Sequence, residues 1–210
     1  MRRGGLWLFL LGGLAGGPVA AQDATFESRL PREVLTAVQP VLEAARRDSL
    51  PVSELQSKIL EGVAKGVPSD RIVTVLSSLS RELRTARTAL RTAMPNMELA
   101  DGEVLGTALA TRHGVPTEQL LTLWENRPAD GSLEVPLVIV GELSRRGIAP
   151  TDAVDLMNHV LRSGTALSTA AQLPSKLDLF LPNAGAPHAA LLEALRSLGI
   201  PRPPRGPPGH

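Results

Sequence analysis

Three times the chain passes through the same short boundary: Gly66-Val67-Pro68-Ser69-Asp70, Gly114-Val115-Pro116-Thr117-Glu118 and Gly147-Ile148-Ala149-Pro150-Thr151-Asp152. Each part has a physical consequence. Gly takes the left-handed conformation that ends a helix, the apolar residue after it packs back on the last turn, and Pro prevents the helix from continuing. Ser or Thr is then expected to cap the next helix, with an acid in its first turn meeting the positive end of the dipole. Gly185-Ala186-Pro187 and Gly199-Ile200-Pro201 are partial copies. A chain punctuated this way forms helices on short connections, and helices so joined pack as hairpins.

The segments between the boundaries carry helical periodicity. Val34, Val38, Val41 and Ala45 form one stripe, with Leu35 and Leu42 beside it, and the phase holds through Pro40, which predicts a single kinked helix. Leu55, Ile59 and Val63 mark a second helix, with Glu54 to Lys58 and Glu61 to Lys65 as i, i+4 ion pairs on its exposed side. Ile72, Leu76, Leu79, Leu83, Ala86 and Leu90 alternate by four and three along the longest helix, the spacing of a packed seam. Further helices are predicted around Val104–Arg112, Leu120–Glu125, Leu137–Arg146, Ala153–Arg162 and Ala189–Leu198. The valine-rich run from Leu133 to Val140 fits a strand as well, but Pro136 inside it favours a buried helix starting nearby. Residues 165–187 read as irregular, with short helical turns separated by Pro174 and ended by Pro182.

The expected fold is all-α: an irregular bundle of seven to nine helices, the alternative being a short solenoid of helical hairpins. The 34 residues between Thr117 and Thr151 match a helical-repeat period, yet no tetratricopeptide consensus flanks them. Composition agrees, since aromatic residues are 2% of the chain and Tyr is absent, leaving the core to Leu, Val, Ile, Ala and Met. Such side chains suit closely packed helices better than sheets.

At the N-terminus, Met1-Arg2-Arg3, the apolar Leu6–Leu11 run and Val19-Ala20-Ala21 stand in the order of a cleavable export signal, residues 1–21. The apolar stretch is too short to span a bilayer, and Gly12, Gly13, Gly16, Gly17 and Pro18 weaken its helix. Cleavage there leaves one helical domain, residues 22–198, and a Pro/Gly-rich tail, residues 199–210, expected to be extended and disordered. Export places the protein in the periplasm or outside the cell. The formal charge of +1 becomes −1 when Arg2 and Arg3 leave, so no nucleic-acid partner is expected. The absence of cysteine excludes disulfides, thiol catalysis and a lipid-modified cysteine.

The stretch from Leu50-Pro51 through Lys58-Ile59-Leu60-Glu61-Gly62-Val63-Ala64-Lys65-Gly66-Val67-Pro68, followed by Arg71-Ile72 and an Arg/Leu helix, resembles uncharacterised exported helical proteins of high-GC bacteria. The resemblance is strongest over residues 50–91 and extends loosely to about Leu198. It implies an exported helical fold and no particular activity.

Two surface clusters are the candidate sites. Arg81, Arg84, Arg87 and Arg91 recur at three- and four-residue steps, placing guanidinium groups along the long helix opposite its seam. They form either an anion- or partner-binding face, including contact with an anionic membrane surface, or a solvated face with Glu82 as partial counterion. Lys58, Glu61 and Lys65 form a polar cluster, read as helix-stabilising pairs or as a functional group. Asp152, Asp155 and His159 share one side of a helix without the spacing of a metal site, His113 sits at a helix C-terminus, and Trp124 reads as a core anchor. No nucleophile elbow, phosphate loop or dinucleotide fingerprint occurs, so no catalytic, cofactor-binding or metal-binding residues are assigned. The functional expectation is a structural or protein-interaction role with another envelope or secreted protein and no cofactor. An anion- or lipid-binding module is the alternative, and an enzyme the third reading.

Overall fold

A computed structural model describes residues 26–128 and 131–203. The protein is all-helical, with no strand among the described residues. In chain order the helices are α1 (Arg32–Arg47), α2 (Val52–Ala64), α3 (Ser69–Ala93), α4 (Asp101–Arg112) and α5 (Thr117–Leu121), which runs into a 3₁₀ turn, Thr122–Asn126. Then follow α6 (Glu134–Arg145), α7 (Pro150–Ser163), α8 (Leu167–Ala170), α9 (Leu173–Phe180) with a 3₁₀ turn Leu181–Asn183, and α10 (Pro187–Leu198). The leader at residues 1–21 and tail residues 204–210 lie outside the described residues.

The Gly-apolar-Pro boundaries work as their chemistry requires. Gly66, Gly114, Gly147 and Gly199 all have positive φ. The amide of the next residue bonds back to the helix it leaves: Val67 to the Gly62 carbonyl at 2.9 Å, Val115 to Ala110 at 3.1 Å, Ile148 to Leu143 at 3.1 Å and Ile200 to Leu195 at 3.0 Å. Val115, Ile148 and Ile200 are buried by this turn. Ile200, assigned to the tail from sequence, is therefore part of the core.

The expected hydroxyl caps do not form. Pro68 and Pro116 occupy the cap positions in extended conformation, Ser69 and Thr117 are the first helical residues, and no side chain caps either helix. Proline's fixed φ already suits helix entry, so the helix begins directly after it. The Ser69 hydroxyl instead donates to Glu33 Oε1 at 3.1 Å. Pro174 likewise sits in the first turn of α9 rather than separating two turns, and Pro136 lies inside the start of α6, whose valine-rich run is helical.

Cross-helix contacts reveal an order within the bundle. Ser69 meets Glu33 and Arg84 meets Asp48, both 36 residues apart, so α1 and α3 run parallel. Gln119 meets Thr151 and Asn126 meets Asn158, both 32 residues apart, which makes the Thr117–Asn126 segment parallel to α7. Helices α4 and α6 are parallel too, with Gly106 against Leu137 and Gly141 against Ala110. In each of these three pairs the partners are two elements apart and run parallel, and the 34-residue Thr117–Thr151 interval is the visible trace of that order.

Two apolar clusters result. One joins α1, α2 and α3 to Val104 and Ala108 of α4, and the other joins Ala110 of α4 to α6, α7, α9 and α10. Trp124 packs against both. Helix α4 is thus buried on two sides, and Gly102, Gly106 and Ala110, four residues apart, form the face on which α6 lies. A Cβ added at Gly106 would stand 2.6 Å from Leu137 Cβ, and one at Gly141 3.1 Å from Ala110 Cα.

Gly106→Ala is accordingly expected to destabilise the protein by up to about 2 kcal/mol, overpacking against Leu137 at the upper end of about 1–3 kcal/mol less a gain of about 1 kcal/mol in helix propensity. Gly62→Ala is the control. Its Cβ meets only the Ile72 side chain, Cγ1 at 2.9 Å and Cδ1 at 3.1 Å, a looser approach than 2.6 Å to Leu137 Cβ, so thermal unfolding should show the smaller loss for Gly62→Ala.

Candidate functional site

Helix α3 is built around its seam. Ile72, Leu76, Leu79, Leu83, Ala86 and Leu90 are all buried, as the four-three spacing requires. On a helix advancing about 100° per residue, Arg81 lies opposite the seam, but Arg84, Arg87 and Arg91 lie within about 60° of one another along its flank. The stripe is therefore not wholly opposite the seam, and Arg87, nearest to it, is half-buried.

The four arginines differ in their partners. Arg84 is held by Asp48, which caps the end of α1, through Nε at 2.8 Å and Nη2 at 2.6 Å to the same oxygen. Arg81, Arg87 and Arg91 have no ion pair among the described residues, and the Arg87 Nε and Nη1 atoms are buried without a hydrogen-bond acceptor. Glu82 does not serve as counterion to the stripe. It accepts from Arg112 Nε at 2.6 Å across the α3–α4 hairpin, because α4 runs back along that side of α3. Helix α3 is nine residues longer than α1, so Arg87 and Arg91 stand beyond the end of their parallel neighbour.

At that end, Met94, Pro95, Asn96, Met97, Glu98 and Arg127 line an open cleft of about 640 Å³. Arg127 in its wall is held by a carboxylate that periodicity does not reveal. Glu103 is 0% exposed, forms an ion pair with Arg127 Nη2 at 3.1 Å, and accepts from the Leu133 amide at 3.2 Å and from the Ala100 amide at 3.2 Å. Its position three residues after Ala100, where a glutamate reaches back to the cap amide, was the available signal. Arg127 also donates from Nε to the Gly131 carbonyl at 2.9 Å and approaches Met97 Sδ at 3.4 Å.

The second candidate cluster forms on the surface of α2. Lys58 donates to Glu61 Oε2 at 2.9 Å and Lys65 to Glu61 Oε1 at 2.5 Å, so the two lysines share one carboxylate. These hydrogen bonds, that from Lys65 foremost, lower the Glu61 pKa to about 2. The expected Glu54–Lys58 pair is absent, since Lys58 turns to Glu61.

The Asp152–Asp155–His159 group does not assemble. Asp152 Oδ2 is 3.5 Å from His188 Nδ1 at the start of α10, while His159 Nε2 is buried with no partner. His113 ends α4 as expected. Among the described residues no group of three His, Asp or Glu side chains is placed to hold a metal, and no helix is long and apolar enough to cross a membrane.

A third charged cluster joins α6 to α9. Arg146, whose side chain is 12% exposed, donates from Nε to Asp178 Oδ1 at 2.7 Å and from Nη2 to Oδ2 at 2.8 Å, and also bonds Glu142. Arg145 reaches the same Glu142 oxygen at 2.9 Å. Burial works to raise the Glu142 pKa, but hydrogen bonds from Arg145 and Arg146 together outweigh it and the net shift is downward. The Arg146 hydrogen bond lowers that of Asp178. Both folded-state values lie below the unfolded ones, so this stabilisation is complete above the ordinary carboxylate range and fades as pH falls through about 4 towards the folded values. Arg146→Gln should cost about 1–2 kcal/mol at pH 7, the half-exposed Asp178 holding it to the low end for charged hydrogen bonds. The difference from wild type in urea midpoints should narrow by pH 3; a gap independent of pH would refute this assignment.

Compared with known proteins, the chain matches no family model, no curated protein and no solved structure.

Proposed function

We propose that the protein is exported and acts in a structural or protein-interaction role towards another envelope or secreted protein, without a cofactor. The observation that supports this is the stacking order. The parallel pairs α1 with α3, α4 with α6 and the Thr117–Asn126 segment with α7, at offsets of 31 to 36 residues, give the bundle the order of helical hairpins laid side by side. Stacked helical hairpins elsewhere use extended faces for binding. Export rests on the leader-like residues 1–21, and the protein recovered from the cell envelope should begin at or within two residues of Gln22. A species retaining Trp7 there would refute it. Affinity capture from the protein's own envelope, followed by cross-linking to locate the contact, tests the interaction role, which fails if no partner is retained at near-stoichiometric amounts.

A second reading is an envelope-associated anion- or lipid-binding module using the Arg81–Arg91 face. One observation favours it: Arg81, Arg87 and Arg91 stand on one helix without a carboxylate partner among the described residues, and Nε and Nη1 of Arg87 are buried without an acceptor.

A further inference from the structure

We propose that the overhanging end of α3, with Arg87, Arg91, Met94 and Met97, docks on a membrane surface of anionic phospholipid. This inference rests on the second reading above and deepens it by naming the residues and the ligand chemistry.

The argument starts with charge. From Arg84 to Ala93 the helix reads Arg-Thr-Ala, Arg-Thr-Ala, Leu, Arg-Thr-Ala, with no acidic residue. The carboxylates at this end of the bundle are Asp48, bound to Arg84, Glu103, bound to Arg127, and Glu98, Asp101 and Glu134, none of which forms an ion pair with Arg87 or Arg91. No ion pair among the described residues neutralises Arg87 or Arg91. The Arg87 guanidinium is partly stripped of water at Nε and Nη1 yet has no acceptor there. A charge in that condition is costly, and an external anion near its remaining nitrogen relieves the cost.

The second element is apolar. Three residues after Arg91 the helix ends at Met94, which with Met97 lines the open cleft, and Met97 is 38% exposed. A basic stripe leading to flexible, polarisable apolar side chains is the combination that interfacial membrane contact requires: headgroup phosphates for the arginines, the headgroup–acyl boundary for the methionines. A nucleic-acid partner would call for aromatic side chains to stack on bases, and α3 has none.

Vesicle sedimentation with the full chain tests the proposal, with phosphatidylcholine vesicles setting the baseline and vesicles containing phosphatidylglycerol giving the signal. Variants differ only at the named positions, so any contribution of residues 1–21 is the same in each. The Arg87→Gln/Arg91→Gln variant should lose about thirty-fold of the excess affinity for anionic vesicles, since each arginine near such a surface contributes a factor of about five. Arg91→Gln alone, at an exposed position, should lose several-fold and guards against misfolding of the double variant. Arg87→Lys/Arg91→Lys should retain most binding. Met94→Gln/Met97→Gln should weaken it, and Arg196→Gln, which removes the same charge on α10, should not. Equal losses from Arg196→Gln and Arg91→Gln overturn the proposal, because net charge would then explain the binding. So does competition by millimolar inorganic phosphate, which would mark a discrete anion site. If vesicles do not bind but an acidic protein is captured through these arginines, the membrane proposal falls while the anion-binding reading stands.

Discussion

Glu103→Ala is expected to destabilise the protein by about 3 kcal/mol. Truncating one member of a buried ion pair costs about 3–5 kcal/mol when its partner is left enclosed. Arg127 is 28% exposed and keeps its bond to the Gly131 carbonyl, so it can recover water and the cost falls to the low end. The larger contribution comes from the backbone. Leu133 is 0% exposed, and its amide loses its acceptor, about 1–3 kcal/mol for a buried donor left unpaired. The Ala100 amide, on an exposed residue, can turn to solvent. Glu103→Gln should cost about half as much, because its carbonyl oxygen still accepts one of these bonds. Urea unfolding at pH 7 gives the magnitudes, and hydrogen exchange at the Leu133 amide localises the effect. A neutral Glu103→Ala would mean that the connection from α5 to α6 is not anchored through this carboxylate.

Leu83→Ala is expected to cost about 4 kcal/mol, within the range of roughly 2–5 kcal/mol for a buried leucine. Leu83 is 0% exposed in the middle of a seam flanked by α1 on one side and α4 on the other, so little collapse can fill the cavity. The flank of the same helix should respond differently. Replacing Arg84, Arg87 and Arg91 together by Gln should change stability by less than about 1 kcal/mol: the Arg84–Asp48 pair is exposed, and removing the unpaired Arg87 charge relieves a cost of its own. If Leu83→Ala were neutral and the arginine changes unfolded the protein, the packing of α3 would be misassigned.

The features legible in the residues alone are those set within one turn of chain. Gly at 66, 114 and 147 followed by an apolar residue and Pro marks a helix end because only local backbone preferences are involved, and all three take positive φ. The α3 seam and the Glu61–Lys65 pair are legible for the same reason, since i, i+3 and i+4 neighbours meet on any helix. Even here the choice between local options escaped: Lys58 had carboxylates at Glu54 and Glu61 within reach and took the second.

What could not be read depends on residues 24 to 36 positions apart. Glu82 lies beside three arginines in sequence but pairs with Arg112, and Arg84 pairs with Asp48, because the packing of α4 and α1 against α3 decides which charges meet. Arg146 with Asp178, and Glu103 with Arg127, are of the same kind. Helix α4 is the clearest case. An apolar stripe reports a helix with one buried face, whereas α4 is enclosed between two cores and shows Gly102, Gly106 and Ala110 where a stripe would be sought. Those small residues acquire meaning only when α6 lies across them, for backbone proximity is a property of two helices and neither one's periodicity contains it.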